Sequence, residues 1–164
     1  MEYINIGKIV NTHGTKGEIR ILSDFKYKTL VFKKAFKIYI GDNKELHLIN
    51  SYRSHKNYDM ITLEGINNIN DVLKYKGQYV YINKEDLSLT DNMYLDTDLI
   101  DCKVYDNGQY VGIITDIMKA PLYNILVIMN NNKKILVPNI DQFIKHIDLK
   151  QKKVTINSIK GLIV

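Results

Sequence analysis

The sequence predicts an all-β protein built of two small antiparallel β-barrels joined by a short linker, with one or two short helices. Three observations lead there. Apolar residues recur at spacing two in short runs, glycine- and asparagine-containing turns separate the runs, and a polar stretch at residues 84–96 without sustained periodicity interrupts them. Regularly spaced short strands favour closure, because a closed sheet leaves no unpaired edge. The expected modules are residues 1–83 and 97–164.

In the first module, Gly7-Lys8-Ile9-Val10-Asn11-Thr12-His13-Gly14-Thr15-Lys16-Gly17-Glu18-Ile19-Arg20 predicts a β-hairpin, flanked by Ile4 and Ile6 on one side and Ile21 and Leu22 on the other. Gly14 and Gly17 permit positive φ where the chain reverses, which leaves His13, Lys16 and Arg20 pointing outward on a basic tip. Residues 23–34 are polar and basic, and a short helix or irregular loop is expected at 27–32. At 35–40, Phe36, Ile38 and Ile40 alternate with Lys37 and Tyr39 in a strand that ends at Gly41-Asp42-Asn43. The next strand, 45–52, runs into Arg53-Ser54-His55-Lys56-Asn57, and the chain returns as a strand at 60–63. Asn67 and Asn68 offer capping side chains for a short helix over 69–75, Gly77 stops it, and 78–82 is a β-branched and aromatic strand.

The second module is expected to hold strands at 99–105, 110–118, 125–129, 134–137 and 154–156, with turns at Asp106-Asn107-Gly108 and Asn130-Asn131-Asn132. Residues 140–147 predict a short helix, and 158–161 at most one terminal turn. No internal repeat and no long low-complexity tract is visible.

With 45% hydrophobic and 25% charged residues, the 164-residue chain has material for a core and does not have the composition of a disordered protein. Its formal charge of +5 is unevenly spread: residues 1–56 hold nine Lys and two Arg against three Glu and two Asp, a net +6. Such a bias suits an acidic partner such as nucleic acid, and also plain solubility. Cys102 is the single cysteine, so an intrachain disulfide and a cysteine-rich zinc site are excluded and a reducing compartment is expected. Met1-Glu2-Tyr3-Ile4-Asn5 lacks the basic region and apolar run of a signal peptide, and no apolar stretch approaches the ~20 residues that cross a bilayer, so a cytoplasmic location is expected.

The opening hairpin resembles the N-terminal signature of the ribosome maturation factor RimM family, a strand with Gly-Lys-Ile-Val followed by His-Gly and then Lys-Gly-Glu. The resemblance continues through Arg53-Ser54-His55-Lys56-Asn57, Leu63-Glu64-Gly65-Ile66, Asp71, Leu73 and Lys76-Gly77. Asp98-Leu99-Ile100, Val104-Tyr105, Gly108, Gly112, Tyr123, Leu126-Val127, Val137-Pro138 and Ile147-Asp148-Leu149 are similar to the family's C-terminal domain, a PRC-barrel. The resemblance implies a non-enzymatic assembly factor acting on the free small (30S) ribosomal subunit; a monomer without a cofactor is expected. The resemblance also implies help in maturing the subunit head and processing its ribosomal RNA, and a protein partner, the nineteenth small-subunit ribosomal protein, met through the C-terminal domain and linker. Carried onto this chain, that contact falls on Tyr94, Leu95, Asp98, Leu99 and Tyr123. One departure lies there: where the family usually has two tyrosines and then a tryptophan, this chain has Tyr94-Leu95-Asp96, which changes the apolar contact area.

No catalytic constellation is apparent. Gly14-Thr15-Lys16-Gly17 lacks the glycine-to-lysine spacing and the following Ser or Thr of a phosphate-cradling loop. His13, His47, His55 and His146 are dispersed without metal-ligand spacing, Cys102 sits in an expected strand as a buried thiol, and Glu85-Asp86 and Asp96/Asp98 read as solvated linker charges. The residues fit binding better: Lys8, His13, Lys16 and Arg20 around one hairpin, with Arg53, His55 and Lys56 at another strand end, form a candidate set of phosphate contacts. Tyr52, Tyr58 and Tyr105 are candidates for stacking on unpaired bases or for barrel packing. The competing readings are a general RNA-binding, translation-factor-like barrel without an assembly role, and a small hydrolase using Cys102.

Overall fold

The computed structural model of the chain describes residues 1–90 and 93–157. The chain divides into two compact units, Met1–Thr90 and Asp91–Val164. The expected turn at 158–161 lies outside the described residues.

The first unit is a closed barrel of six strands, β1 (Tyr3–His13), β2 (Glu18–Leu22), β3 (Lys37–Ile40), β4 (Glu45–His55), β5 (Tyr58–Leu63) and β6 (Tyr79–Asn83), in the order β1-β2-β5-β4-β3-β6. Every neighbouring pair is antiparallel. Alternation supplies the interior: Ile6, Ile9, Ile19, Ile21, Ile38, Ile49, Ile61, Leu63, Val80 and Ile82 are buried, each contributing about 1.5–3 kcal/mol of apolar transfer energy. Strand β1 pairs with β6 through its first half and β2 through its second, with register irregularities at Asn5/Gly7 and Ile9/Asn11 that bend it around the barrel. Gly7 sits at this bend because the backbones approach closely: a Cβ there would lie 2.8 Å from the Leu22 carbonyl oxygen and 2.9 Å from Ile21 Cγ2.

The loop after β2 forms one helical turn, α1 (Lys28–Val31), which buries Val31. Its Lys28 Nζ lies 2.8 Å from Asp59, a buried carboxylate that also accepts a 2.7 Å hydrogen bond from the Tyr52 hydroxyl. The helix expected over 69–75 is instead two 3-10 turns, Ile69–Asp71 and Leu73–Tyr75, the first capped by Asn68, whose side chain accepts from Asn70 N. The three-residue turn explains the difference: it aligns Val72 with Tyr75, and both are buried against the barrel.

The second unit opens with a 3-10 turn, Asp96–Leu99, and holds β7 (Lys103–Asp106), β8 (Gln109–Lys119), β9 (Asn124–Asn130), β10 (Lys133–Pro138), β11 (Ile144–Asp148) and β12 (Lys153–Ile156). They form a six-stranded sheet in the order β10-β9-β8-β7-β12-β11. Leu99, Cys102, Val104, Ile114, Leu126, Ile128, Val137, Val154 and Ile156 make its core. The all-β expectation holds, with one pair the sequence does not signal: β12 runs parallel to β7. Two local expectations are corrected. Leu99 belongs to the 3-10 turn and the strand starts only at Lys103. Residues 140–147 are no helix: Ile140, Phe143, Ile144 and Ile147 carry helical spacing, but the chain makes a single turn at Ile140–Ile144 and continues as β11. Pairing of Ile144 with Ile156 and of Ile147 with Val154 satisfies the backbone while both isoleucines still reach the core, so tertiary pairing overrides the local period. Among the described residues no helix is long and apolar enough to cross a membrane.

Candidate functional site

The barrel order brings the two predicted basic strand ends together. Strands β2, β5 and β4 are neighbours, with Arg20 opposite Met60 and Met60 opposite Arg53; His13 on β1 faces Glu18 on β2, and His55 faces Tyr58. These outward positions form one cluster, and Met60, although it points outward between the two arginines, is fully buried. The long arginine stems give apolar cover at such a position.

Contacts within the cluster are specific. Arg53 donates from Nε and Nη2 to the two carboxylate oxygens of Glu18, at 2.8 and 2.7 Å. Arg20 Nη2 lies 3.2 Å from His13 Nδ1, so this ring nitrogen accepts, and the Arg20 guanidinium lies 5.1 Å from the Tyr58 ring centre. The His13 and His55 rings are 6.2 Å apart. The hydrogen bond from Arg53 holds the Glu18 carboxyl below the usual carboxylate range; partial burial opposes this, and the charge of Arg53 and the neighbouring His13 and His55 add to it.

Two turns flank the cluster and carry the exposed lysines. Lys16 lies in the β1–β2 turn, and Lys56, with φ of 56°, in the β4–β5 turn. The first turn is tied down: Ile69 N donates to Thr15 O at 2.9 Å, and a Cβ at Gly17, whose φ is 91°, would sit 3.2 Å from the Asn68 carbonyl oxygen. The basic tip is therefore a fixed platform edge.

Not every predicted residue joins. Lys8 lies elsewhere on the barrel, over the Tyr79 ring. Arg53 is in place, but its charge is matched by Glu18, so Lys16, Arg20 and Lys56 are the cations the cluster presents in excess. Sequence reasoning missed Glu18 as a member, although Glu18 and Arg20 share a strand face at spacing two. Of the candidate stacking rings, Tyr52 is stacked on Phe32 with centroids 5.6 Å apart, and burial together with its bond to Asp59 pushes its hydroxyl up to about 12.

In the second unit, Leu99 is fully buried and Leu95 is 7% exposed, so neither offers a side chain to a partner; their apolar character serves the core. This corrects their expected role as contact residues. Asp98 accepts from Leu95 N at 3.1 Å and lines, with Thr97, Ile100, Asp101, Leu149 and Lys152, a surface hollow of about 580 Å³. Tyr94 packs half-buried against the core with its hydroxyl near Asn139, whereas Tyr123 is exposed at the β8–β9 turn beside Leu122, which is 91% exposed. Cys102 is fully buried, and desolvation raises its thiol further from ionisation, which leaves it without the access or the thiolate a nucleophile needs. Among the described residues, no group of three or more His, Cys, Asp or Glu is arranged to hold a metal ion.

Two family models match the chain, the RimM N-terminal domain over residues 4–87 and the RimM PRC barrel domain over residues 96–162. Relatives named Ribosome maturation factor RimM include that of Exiguobacterium sibiricum, 34% identical over 99% of both chains. That of Finegoldia magna is 36% identical over 99% of this chain and 100% of its own. Among solved structures, a Pseudomonas aeruginosa RimM described as a 16S ribosomal RNA processing protein is 20% identical over 96% of this chain and 98% of its own, with a TM-score of 0.43. The N-terminal domain of RimM from Thermus thermophilus covers 54% of this chain and 98% of its own at 17% identity, with a TM-score of 0.46. With both family models in register on its two units and full-length relatives above 30% identity, the chain belongs to the RimM family of ribosome maturation factors.

Proposed function

We propose that this chain is a non-catalytic maturation factor of the small ribosomal subunit. It binds the free subunit as a monomer in the cytoplasm, supports maturation of the subunit head and processing of its RNA, and leaves before the subunit joins a full ribosome. The barrel contacts ribosomal RNA through the hairpin cluster, and the second unit, beyond a linker at residues 84–96, holds the nineteenth small-subunit ribosomal protein through Tyr123, Tyr94 and the hollow beside Asp98. Binding one arrangement of RNA and protein better than its competitors stabilises an assembly intermediate without any bond being broken.

The observation that carries the RNA half is the convergence of Lys16, Arg20 and Lys56 at one end of the barrel beside a single internally neutralised pair, Arg53 and Glu18. Cations in fixed positions without sequence-reading geometry suit phosphate contacts. The assembly role is supported by the name that the full-length relatives carry.

Sedimentation of cell extract tests the reading: the chain should travel with free small subunits and be absent from full ribosomes. An even spread across ribosomal fractions, or none with small subunits, overturns it in favour of a general RNA-binding barrel. Charge reversal by Lys16→Glu, Arg20→Glu and Lys56→Glu together should abolish co-sedimentation at physiological salt; unchanged co-sedimentation removes the RNA half.

A further inference from the structure

A second surface of the barrel is built from different residues. In the cyclic strand order, β2, β5 and β4, which carry most of the hairpin cluster, take one half of the wall, and β3, β6 and β1 the other. On this other half, Tyr39 pairs with Tyr81 and Lys8 pairs with Tyr79, all at outward positions. Tyr3 meets Tyr39 edge to face at 5.1 Å and Tyr81 at 6.5 Å. Tyr79 is 46% and Tyr3 37% exposed, and the two β6 tyrosines stand about 7 Å apart along the strand.

Lysines rest on these rings. Lys44 Nζ lies 4.1 Å from the Tyr81 ring centre and Lys8 Nζ 5.6 Å from that of Tyr79. Among the described residues, neither ammonium is paired with a carboxylate. Lys8 therefore rests on one ring and Lys44 on two, since its Nζ also lies 5.5 Å from the Tyr3 ring centre; a phosphate offers each ammonium a stronger partner than these weak cation–π contacts and frees the ring faces for bases. Lysine is depleted in protein–protein interfaces, whereas tyrosines interleaved with lysines are what a single-stranded polynucleotide requires: π-faces for unpaired bases and cations for its backbone.

We propose that this wall is a stacking platform for single-stranded RNA, with bases on Tyr79, Tyr81 and Tyr3 and phosphates at Lys8 and Lys44. It is a separate surface from the hairpin cluster, so the barrel holds two RNA segments on different sides of its wall. A duplex, whose bases are already stacked and paired, gains nothing from these rings.

Fluorescence anisotropy of a short labelled oligouridylate and of an RNA duplex of equal length, each titrated with the full chain, tests this. Tyr79→Leu and Tyr3→Leu should each weaken oligouridylate binding about 5- to 100-fold and leave duplex binding unchanged, while Tyr79→Phe, which keeps the ring, binds as the parent does. Lys44→Gln should flatten the slope of log affinity against log salt by about 0.7. A Lys16→Glu, Lys56→Glu double variant should keep oligouridylate binding, because its changes lie on the other surface. Thermal unfolding midpoints at the parent value establish that each variant is folded. The proposal is overturned if the parent does not bind oligouridylate, if the leucine variants bind it normally, if single strand and duplex weaken equally, if Tyr79→Phe fails like Tyr79→Leu, or if the double variant abolishes binding.

Discussion

Glu18→Gln isolates the electrostatics of the hairpin cluster. In the parent, Glu18 holds Arg53 through two hydrogen bonds of 2.7 and 2.8 Å, which leaves three cations, Lys16, Arg20 and Lys56, to meet phosphates. Three phosphate contacts on duplex RNA correspond to a slope of log affinity against log salt of about −2.7, on the scale of 0.9 per contact. The amide has the shape of the carboxylate but no charge, so Arg53 becomes the fourth cation and the slope steepens to about −3.6. Raising salt fourfold should then weaken the variant about 3.5-fold more than the parent. The assay is anisotropy of a labelled duplex from small-subunit ribosomal RNA at several salt concentrations, with both proteins folded at every point. An unchanged or shallower slope in Glu18→Gln would refute the claim that Glu18 masks Arg53. The same variant has a pH signature. Because the Glu18 carboxyl titrates below its unfolded value, its contribution to stability is present above the unfolded carboxylate range and is lost as pH falls through the folded value; Glu18→Gln lacks this loss.

Four further substitutions have outcomes set by burial and contact geometry. Gly7→Ala places a methyl 2.8 Å from the Leu22 carbonyl oxygen and should cost about 1–3 kcal/mol in urea unfolding of the first unit. Leu99→Ala opens a cavity in the core of the second unit and should cost about 2–5 kcal/mol, whereas Tyr123→Ala, at an exposed turn, should stay within about 0.5 kcal/mol while weakening capture of the nineteenth small-subunit protein in a pull-down. Tyr75→Phe removes a hydroxyl that donates to Glu45 at 2.7 Å and lies 2.9 Å from His47 Nε2; the cost should be about 1 kcal/mol, screened because Glu45 is half exposed. That hydrogen bond is the main reason the Glu45 carboxyl sits below its usual range, so stability present at neutral pH and lost on acidification should shrink in the variant.

Much of the fold was legible from spacing, because strand alternation and turn chemistry are local properties of the backbone. Phe36-Lys37-Ile38-Tyr39-Ile40 alternates as a strand wherever it is placed, and Gly14 and Gly17 reverse the chain because positive φ is open to glycine. The basic hairpin tip was legible for the same reason. Misreadings arose where one pattern serves two structures. Ile140, Phe143, Ile144 and Ile147 suit a helix face, yet pairing with β12 won because it satisfies backbone and core together. Leu99 was read as part of a contact motif, but its burial makes it a core residue.

By itself, then, the sequence determined the all-β class, the hairpins and the candidate cations, since each depends on residues near one another in the chain. Only the tertiary structure decided which outward side chains become neighbours. Barrel closure set Arg53 against Glu18 across 35 residues and put Tyr3, Tyr39, Tyr79 and Tyr81 on one wall with Lys8 and Lys44. The reason is that strand order and register in a closed sheet are settled by packing the whole interior at once, and no local period carries that information.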